Sequence, residues 1–207
     1  MNVRIQYAMR FMAGIYYEDR LQLNEYTVKT YMMTNTEDPE DHNIALNRIK
    51  HFVYNELEST IFVNEEDIEA CEKLSAANLN ITTMPGDPVD QLIGIMLYTK
   101  FKAITEERLL IGEMELNSVL GDGVIYLHGD NENVEDVNPP DWWSSVDLVH
   151  CEQDLINSEK IVTLHKSSVW RDLDLQWPDI EDNTPDDDDE TGNTVVFADF
   201  KKLDDKE

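Results

Sequence analysis

The acidic residues of this chain are concentrated toward its C-terminal end, and this limits where a compact core can form. Residues 1–129 contain 21 acidic and 10 basic residues, whereas residues 130–207 contain 23 acidic and six basic residues. The shorter part therefore carries a net charge of −17, against −11 for the longer part. Because crowded like charges repel one another, we expect a folded domain in residues 1–129 and an acidic extension in residues 130–207.

The first strands are indicated by alternation. Apolar and polar residues alternate from Val3 to Phe11, which is typical of a strand with one buried face. A second stretch of β-forming residues, from Tyr26 to Met33, follows a polar interruption. We expect it to return antiparallel to the first strand, after an irregular loop.

Two copies of the sequence D-P-x-D mark the starts of the two principal helices. In each copy an aspartate is placed to cap the helix, and the proline fits its first turn. The first copy begins at Asp38 and predicts a helix to about Leu57; the second begins at Asp87 and predicts one to about Ile104. In both, apolar residues recur every three or four positions. The spacing predicts that one face of each helix packs on the core.

The order of elements indicates the fold class. Shorter patterns predict a strand at 60–63, a helix at 64–77 and a strand at 80–84, then a closing hairpin of 109–116 and 124–128 around an Asp-Gly pair. The order is β-β-α-β-α-β-α-β-β, with strands clustered at both ends. It predicts an α+β fold in which a mixed or mainly antiparallel sheet is covered by two long helices.

The acidic extension also contains all four tryptophans of the chain. A purely solvating tail would be poor in aromatic residues, so we expect the extension to be partly docked and partly flexible. In residues 169–180 (VWRDLDLQWPDI) apolar residues alternate with polar ones. An extended segment of this kind could add to a sheet edge of this protein or of a partner. The residues that we predict to bind a partner are Trp142, Trp143, Trp170, Asp172, Asp174, Trp177, Asp186, Asp187, Asp188 and Asp189.

No motif for catalysis, metal binding or nucleotide binding occurs in the chain. The G-x-G-x-x-G, G-x-x-x-x-G-K-[ST], H-E-x-x-H and G-x-S-x-G patterns are all missing. His42 and His51 share the first long helix but are nine residues apart, which places them on opposite faces. We therefore predict no catalytic residue, no metal site and no cofactor.

The net charge of −28 limits the kinds of partner. It repels nucleic-acid phosphates and anionic membranes, and it attracts basic protein surfaces.

No apolar run approaches the roughly 20 residues that cross a bilayer. Cys71 and Cys151 form no C-x-x-C pair. A reducing cytoplasm is the expected location.

Two stretches of the chain resemble uncharacterised proteins encoded by large tailed (T4-like) phages. They are TMPGDPVDQLIGIMLYTKFKAITEERLLI at 83–111 and ELNSVLGDGVIYLHGDNE at 115–132, together less than a quarter of the chain. That family has no known activity, so the resemblance assigns no role to any residue. It implies an accessory viral protein that acts on host machinery in the host cytoplasm.

These observations favour a non-enzymatic acidic binding protein. Its expected partner is a basic protein surface of host or virus, such as that of a nucleic-acid-binding protein, without direct contact to nucleic acid or membrane. One alternative is a divalent-metal-dependent enzyme of unrecognised type that uses clustered carboxylates. Another is a structural or assembly component whose acidity serves solubility.

Overall fold

A six-stranded mixed sheet forms the centre of the protein. The computed structural model describes residues 3–130, 137–148 and 170–178. The strands are β1 (Arg4–Tyr17), β2 (Arg20–Thr34), β3 (Ile61–Asn64), β4 (Ile81–Met84), β5 (Leu109–Ser118) and β6 (Tyr126–Gly129). Their order in the sheet is β4-β3-β1-β2-β5-β6. Strands β1, β2, β5 and β6 pair antiparallel, while β3 and β4 run parallel to β1. The predicted α+β class with a mixed sheet is confirmed.

Strands β1 and β2 form a long hairpin, as predicted, but the expectation of an irregular loop between them was wrong. Tyr17 pairs directly with Arg20, so the turn consists of Glu18 and Asp19 alone. These residues have φ angles of 49° and 56°. Two successive residues with positive φ give a turn whose twist matches that of the flanking strands. Since neither residue is glycine, the sequence pattern did not reveal this turn.

The first helix, α1 (Pro39–His51), begins where it was predicted and continues as a π-helical turn, Phe52–Leu57. The carboxylate of Asp38 caps it by accepting a hydrogen bond from the backbone amide of Glu40 at 2.8 Å. The predicted apolar face is confirmed, since each of its residues is 0% exposed. These residues are Ala45, Ile49, Phe52, Val53 and Leu57.

The other two helices begin later than predicted. Helix α2 (Ile68–Ala76) is capped by Asp67. Helix α3 (Asp90–Thr105) has no side-chain cap. The carboxylate of Asp87, predicted to cap α3, accepts a hydrogen bond from Asn64 Nδ2 at 3.0 Å instead. Val89 precedes the helix and is therefore 54% exposed, although the three-to-four spacing of apolar residues in 87–104 includes it in the predicted buried face.

The helices lie on both faces of the sheet. Helices α1 and α3 pack on one face, where Phe52 and Phe101 meet edge to face. Alternate residues of β3 point to opposite faces, so Phe62 joins this core while Ile61 and Val63 join a second, smaller cluster. Helix α2 covers that second cluster. Within the described ranges, no helix is both long and apolar enough to cross a membrane.

Helix α3 approaches strand β6 closely at Gly94. A Cβ atom placed on Gly94 would lie 2.0 Å from Nε2 of the buried His128. We expect Gly94→Ala to lower the free energy of unfolding by about 1–3 kcal/mol, because overpacking outweighs the higher helix propensity of alanine. Urea unfolding measures this loss. Gly86→Ala is the control, since its nearest contact would be an ordinary 3.8 Å. Equal losses in the two variants would contradict the close approach.

Candidate partner-binding site

Lys100 holds the first described part of the acidic extension, residues 137–148, against the body. It lies on α3 and is 0% exposed. Its Nζ donates hydrogen bonds to the backbone carbonyls of Trp142 at 2.8 Å, Ser145 at 2.8 Å and Asp147 at 2.5 Å. An ammonium group has three donors, so all of them are satisfied. A buried cation is tolerated when it is hydrogen-bonded in this way.

Arg48 holds the second described part, residues 170–178. Its guanidinium carbon lies 4.8 Å from the ring centroid of Trp170 and 4.0 Å from that of Trp177. Its Nε donates to the carbonyl of Leu175 at 2.8 Å. A planar guanidinium stacks on aromatic rings in a way that an ammonium group cannot. Arg48, itself 2% exposed, is thus enclosed by the extension.

Glu106, just after α3, completes this contact. Its Oε1 accepts a hydrogen bond from Arg48 Nη1 at 2.6 Å and another from the indole Nε1 of Trp177 at 2.7 Å. Burial lowers the pKa of Arg48, while Glu106 opposes that shift. We refer to Arg48, Glu106, Trp170 and Trp177 as the Arg48 cluster. It joins α1, the end of α3 and the extension through one carboxylate.

The predicted partner-binding residues divide into an inner and an outer set. Trp143, Trp170 and Trp177 are 0%, 8% and 1% exposed and belong to the same core as the body. Trp142 is half-buried against that core, whereas Asp172 and Asp174 are exposed. The structure therefore brings the tryptophans onto the protein's own body, which is one of the two alternatives stated above. Asp186, Asp187, Asp188 and Asp189 lie outside the described residues.

The extended segment predicted at 169–180 is not extended in its described part. Residues Trp170–Leu173 form a 3-10 turn, and Asp174 has a φ of 58°. The backbone amide of Leu175 donates to the carbonyl of Trp170 at 2.8 Å, which closes the turn. Alternation of apolar and polar residues predicts an extended strand, but a compact turn here directs the indoles of Trp170 and Trp177 onto Arg48.

The two basic residues that hold the extension, Arg48 and Lys100, were not predicted from the sequence. Both interrupt apolar helix faces, which is the signal that could have revealed them. Arg48 follows Ala45 by three residues, and Lys100 lies four residues before Ile104. A charged residue at such a position needs a buried partner, because the helix turns it toward the core.

A polar cleft of about 260 Å³ lies beside the Arg48 cluster. It is lined by Asn35, Thr36, Asp41, Glu106, Glu107 and Arg108. Arg108 packs over the ring of Trp177, with its guanidinium carbon 4.9 Å from the ring centroid. The cleft thus adjoins the point where the described part of the extension ends.

A larger cleft of about 350 Å³ lies near the turn of the β1–β2 hairpin. Its lining includes Tyr17, Asp87, Asp90, Leu120 and Tyr126. Asp90 already accepts a hydrogen bond from the hydroxyl of Ser118 at 2.6 Å. In the part of the chain that the structure describes, neither this cleft nor any other place groups three His, Cys, Asp or Glu side chains that could hold a metal ion.

Comparison with known proteins adds little to this geometry. No protein-family model matches the chain, and no curated protein matches it. An uncharacterised protein, WS1659 from Wolinella succinogenes, aligns with a TM-score of 0.44 and 12% identity over 63% of this chain and 99% of its own. A 6-pyruvoyl tetrahydropterin synthase from Plasmodium vivax aligns with a TM-score of 0.42 and 9% identity over 64% and 99%. At these similarities neither structure bears on what this chain does.

Replacing Lys100 tests the first anchor. We expect Lys100→Met to lower the free energy of unfolding by about 3–5 kcal/mol, because three backbone carbonyls lose the buried donor that holds the extension. Lys102→Met is the matched control on the same helix. Its exposed ion pair with Asp130, at 2.7 Å, should contribute no more than about 1 kcal/mol. Similar losses in the two variants, measured by urea unfolding, would contradict the anchoring role of Lys100.

The stability of the protein should also depend on pH through Lys100. Burial lowers the pKa of this lysine from 10.5 to about 8, although Asp147 and Glu56 oppose the shift. Between these two values the unfolded chain binds more protons than the folded one, so the free energy of unfolding rises with pH. The slope from this group is at most about 1.4 kcal/mol per pH unit.

This dependence is measured as the difference in unfolding free energy between wild type and Lys100→Met from pH 7 to 9.5. Other titrating groups cancel in that difference. We expect wild type to gain relative to the variant above pH 8. A constant difference over this range would show that the pKa of Lys100 is not lowered.

Proposed function

We propose that this protein is a non-enzymatic binding protein whose acidic extension occupies a basic surface of a partner protein. The observation that carries the proposal is how the described parts of the extension distribute their side chains. Trp143, Trp170 and Trp177 face the body, while the carboxylates that accompany them face solvent. The exposed carboxylates are those of Asp141, Asp147, Asp172 and Asp174.

In this distribution the tryptophans attach the extension to the body, while the exposed carboxylates are left to contact a partner. The buried indoles of the two described segments hold the extension on the body, so what these segments offer outward is mainly negative charge, with Val146 and Arg171 among the exceptions. Charged surfaces steer the approach of an oppositely charged partner and set its specificity, more than they add affinity. A basic protein surface is the partner that such a field selects.

The remaining sequence of the extension continues the same charge. Residues 179–207 contain 12 acidic and three basic residues, including the run from Asp186 to Glu190. Nucleic acid is repelled by this charge, whereas the basic surface of a nucleic-acid-binding protein is attracted. The resemblance to proteins of tailed phages would make that partner a host or viral protein, met in the host cytoplasm.

The experiment measures binding of a basic probe to full-length protein. Fluorescein-labelled deca-lysine is titrated at 50 and 300 mM NaCl, and its anisotropy is followed. We expect binding to weaken steeply at the higher salt concentration, because counterions screen the interaction. Replacing Asp186, Asp187, Asp188 and Asp189 with asparagine should weaken binding about tenfold at 50 mM NaCl, since each exposed pair is worth up to about 1 kcal/mol.

The control removes four negative charges elsewhere. Glu65, Glu66, Glu69 and Glu72 are exposed residues at or near α2, and all four are changed to glutamine. This variant should bind deca-lysine nearly as well as wild type. An equal loss in both variants would mean that the extension has no special role. Binding that does not respond to salt would refute the proposal as a whole.

A further inference from the structure

We propose that the polar cleft beside Trp177 receives the guanidinium group of an arginine side chain from the basic partner. This inference rests on the proposed function and names the chemical group that the body itself recognises. The extension would supply the long-range attraction. The cleft would supply a specific contact, made by Asp41 and Glu107.

Asp41 provides the first observation. It lines the cleft, is only 8% exposed, and no hydrogen-bond donor among the described residues reaches its Oδ1. Its Oδ2 is 4.0 Å from Nε of Arg108, which is a long ion pair. Leaving a buried acceptor without a donor costs about 1–3 kcal/mol, and more for a charged group. A ligand N–H donor that reached this carboxylate from the cleft would reduce this cost.

Glu107 supplies the second carboxylate of the proposed contact. Glu106 and Glu107 have φ angles of 46° and 63°, in the left-handed region that costs a non-glycine residue about 1–2 kcal/mol. Both also place negative charge just beyond the C-terminal end of α3, where the helix dipole disfavours it. Glu106 is explained by its bonds to Arg48 and Trp177. Glu107 owes its backbone angle to a tight turn between α3 and β5, in which the amide of Arg108 donates to the carbonyl of Thr105 at 2.9 Å. Its side chain has no hydrogen-bond or ion-pair partner within the described part of the chain.

The charges at the cleft leave room for one cation. Asp41, Glu106 and Glu107 contribute three negative charges, and Arg48 and Arg108 contribute two positive ones. Among these five side chains one negative charge is therefore unbalanced. This is the charge that a single basic side chain would neutralise.

The donor geometry favours arginine over lysine. A guanidinium has five N–H donors in a plane and can bind a carboxylate with two parallel hydrogen bonds. The cleft offers carboxylates at Asp41 and Glu107 together with side-chain oxygens at Asn35 and Thr36. An ammonium group has three donors and no planar fork, so it would satisfy fewer of these acceptors.

The position of the cleft links it to the extension. Trp177 packs under Arg108, which lines the cleft, and the acidic sequence resumes directly after Pro178. A basic surface drawn to the extension would therefore meet the body at this place. The larger cleft near the β1–β2 turn has no such connection to the described extension.

The test titrates ¹⁵N-labelled full-length protein with N-acetyl-arginine amide and follows backbone amide shifts by NMR. We expect saturable shifts at residues 35–36, 41 and 106–108. Glu107→Gln should weaken this binding about tenfold, and Asp41→Asn should weaken it as well. Glu107 is exposed, so Glu107→Gln should fold normally. It therefore tests the site even if Asp41→Asn does not fold. N-acetyl-lysine amide should bind several-fold more weakly than the arginine ligand.

Glu72→Gln is the matched control, since Glu72 is exposed on α2, across the sheet from α1 and α3. It should bind the arginine ligand as wild type does. The inference is overturned if Glu107→Gln also binds as wild type, if the shifts are scattered over the surface, or if the lysine ligand binds equally well.

The outcomes for the cleft and for the extension can be told apart. The variant with asparagine at 186–189 should bind N-acetyl-arginine amide normally, because the cleft lies in the body. Suppose that Glu107→Gln loses arginine binding and that deca-lysine binding to wild type does not depend on salt. The proposed function would then be refuted, while the cleft would remain a guanidinium-binding site. If Glu107→Gln binds arginine as wild type does and deca-lysine binding weakens with salt, only the cleft site would be refuted.

Discussion

Two buried positive charges determine how this protein is put together. Lys100 and Arg48 both point into a core in which an unpaired cation would be prohibitively unstable. Six hydrogen bonds and two stacked indoles satisfy them, and five of those bonds end on backbone carbonyls. Of the residues that supply these carbonyls, the carboxylate and the indoles, all but Ile104 and Glu106 belong to the extension. The body therefore depends on residues far along the chain to complete its own interior, and folding of the body is coupled to docking of the extension.

The part of the fold that could be predicted is the part set by repeating patterns. Alternation located β1, and the spacing of apolar residues identified the buried faces of α1 and α3, because these periods follow directly from backbone geometry. The Asp-Gly pair located the β5–β6 hairpin, where Asp122 and Gly123 do have positive φ angles. The turn at Glu18 and Asp19 escaped prediction, since strand pairing imposes that conformation on residues that do not specify it.

The site was harder to predict because its residues depend on long-range contacts. The tryptophans were recognised as anchors, but a sequence pattern cannot say whether an indole will pack on its own chain or on another. Residues 170–177 show why. Trp170 is buried although it lies out of phase with Leu173, Leu175 and Trp177, so the alternation does not decide which side chains meet the core. The backbone path depends on Arg48, which lies more than 120 positions earlier. Glu107 gave no sequence signal at all, because it is one of 44 acidic residues in the chain.

The Arg48 cluster also determines how the protein would bear a mechanical load. Trp177 is the last deeply buried residue in the described part of the extension, and its indole and Arg48 share a single oxygen of Glu106. A partner that pulled on the chain beyond Pro178 would transmit the force first to that carboxylate and through it to the end of α3. The Lys100 contacts, earlier in the chain, would be loaded only after the Arg48 cluster had opened. Detachment of the extension under force would therefore follow a fixed order, from its distal end toward the body.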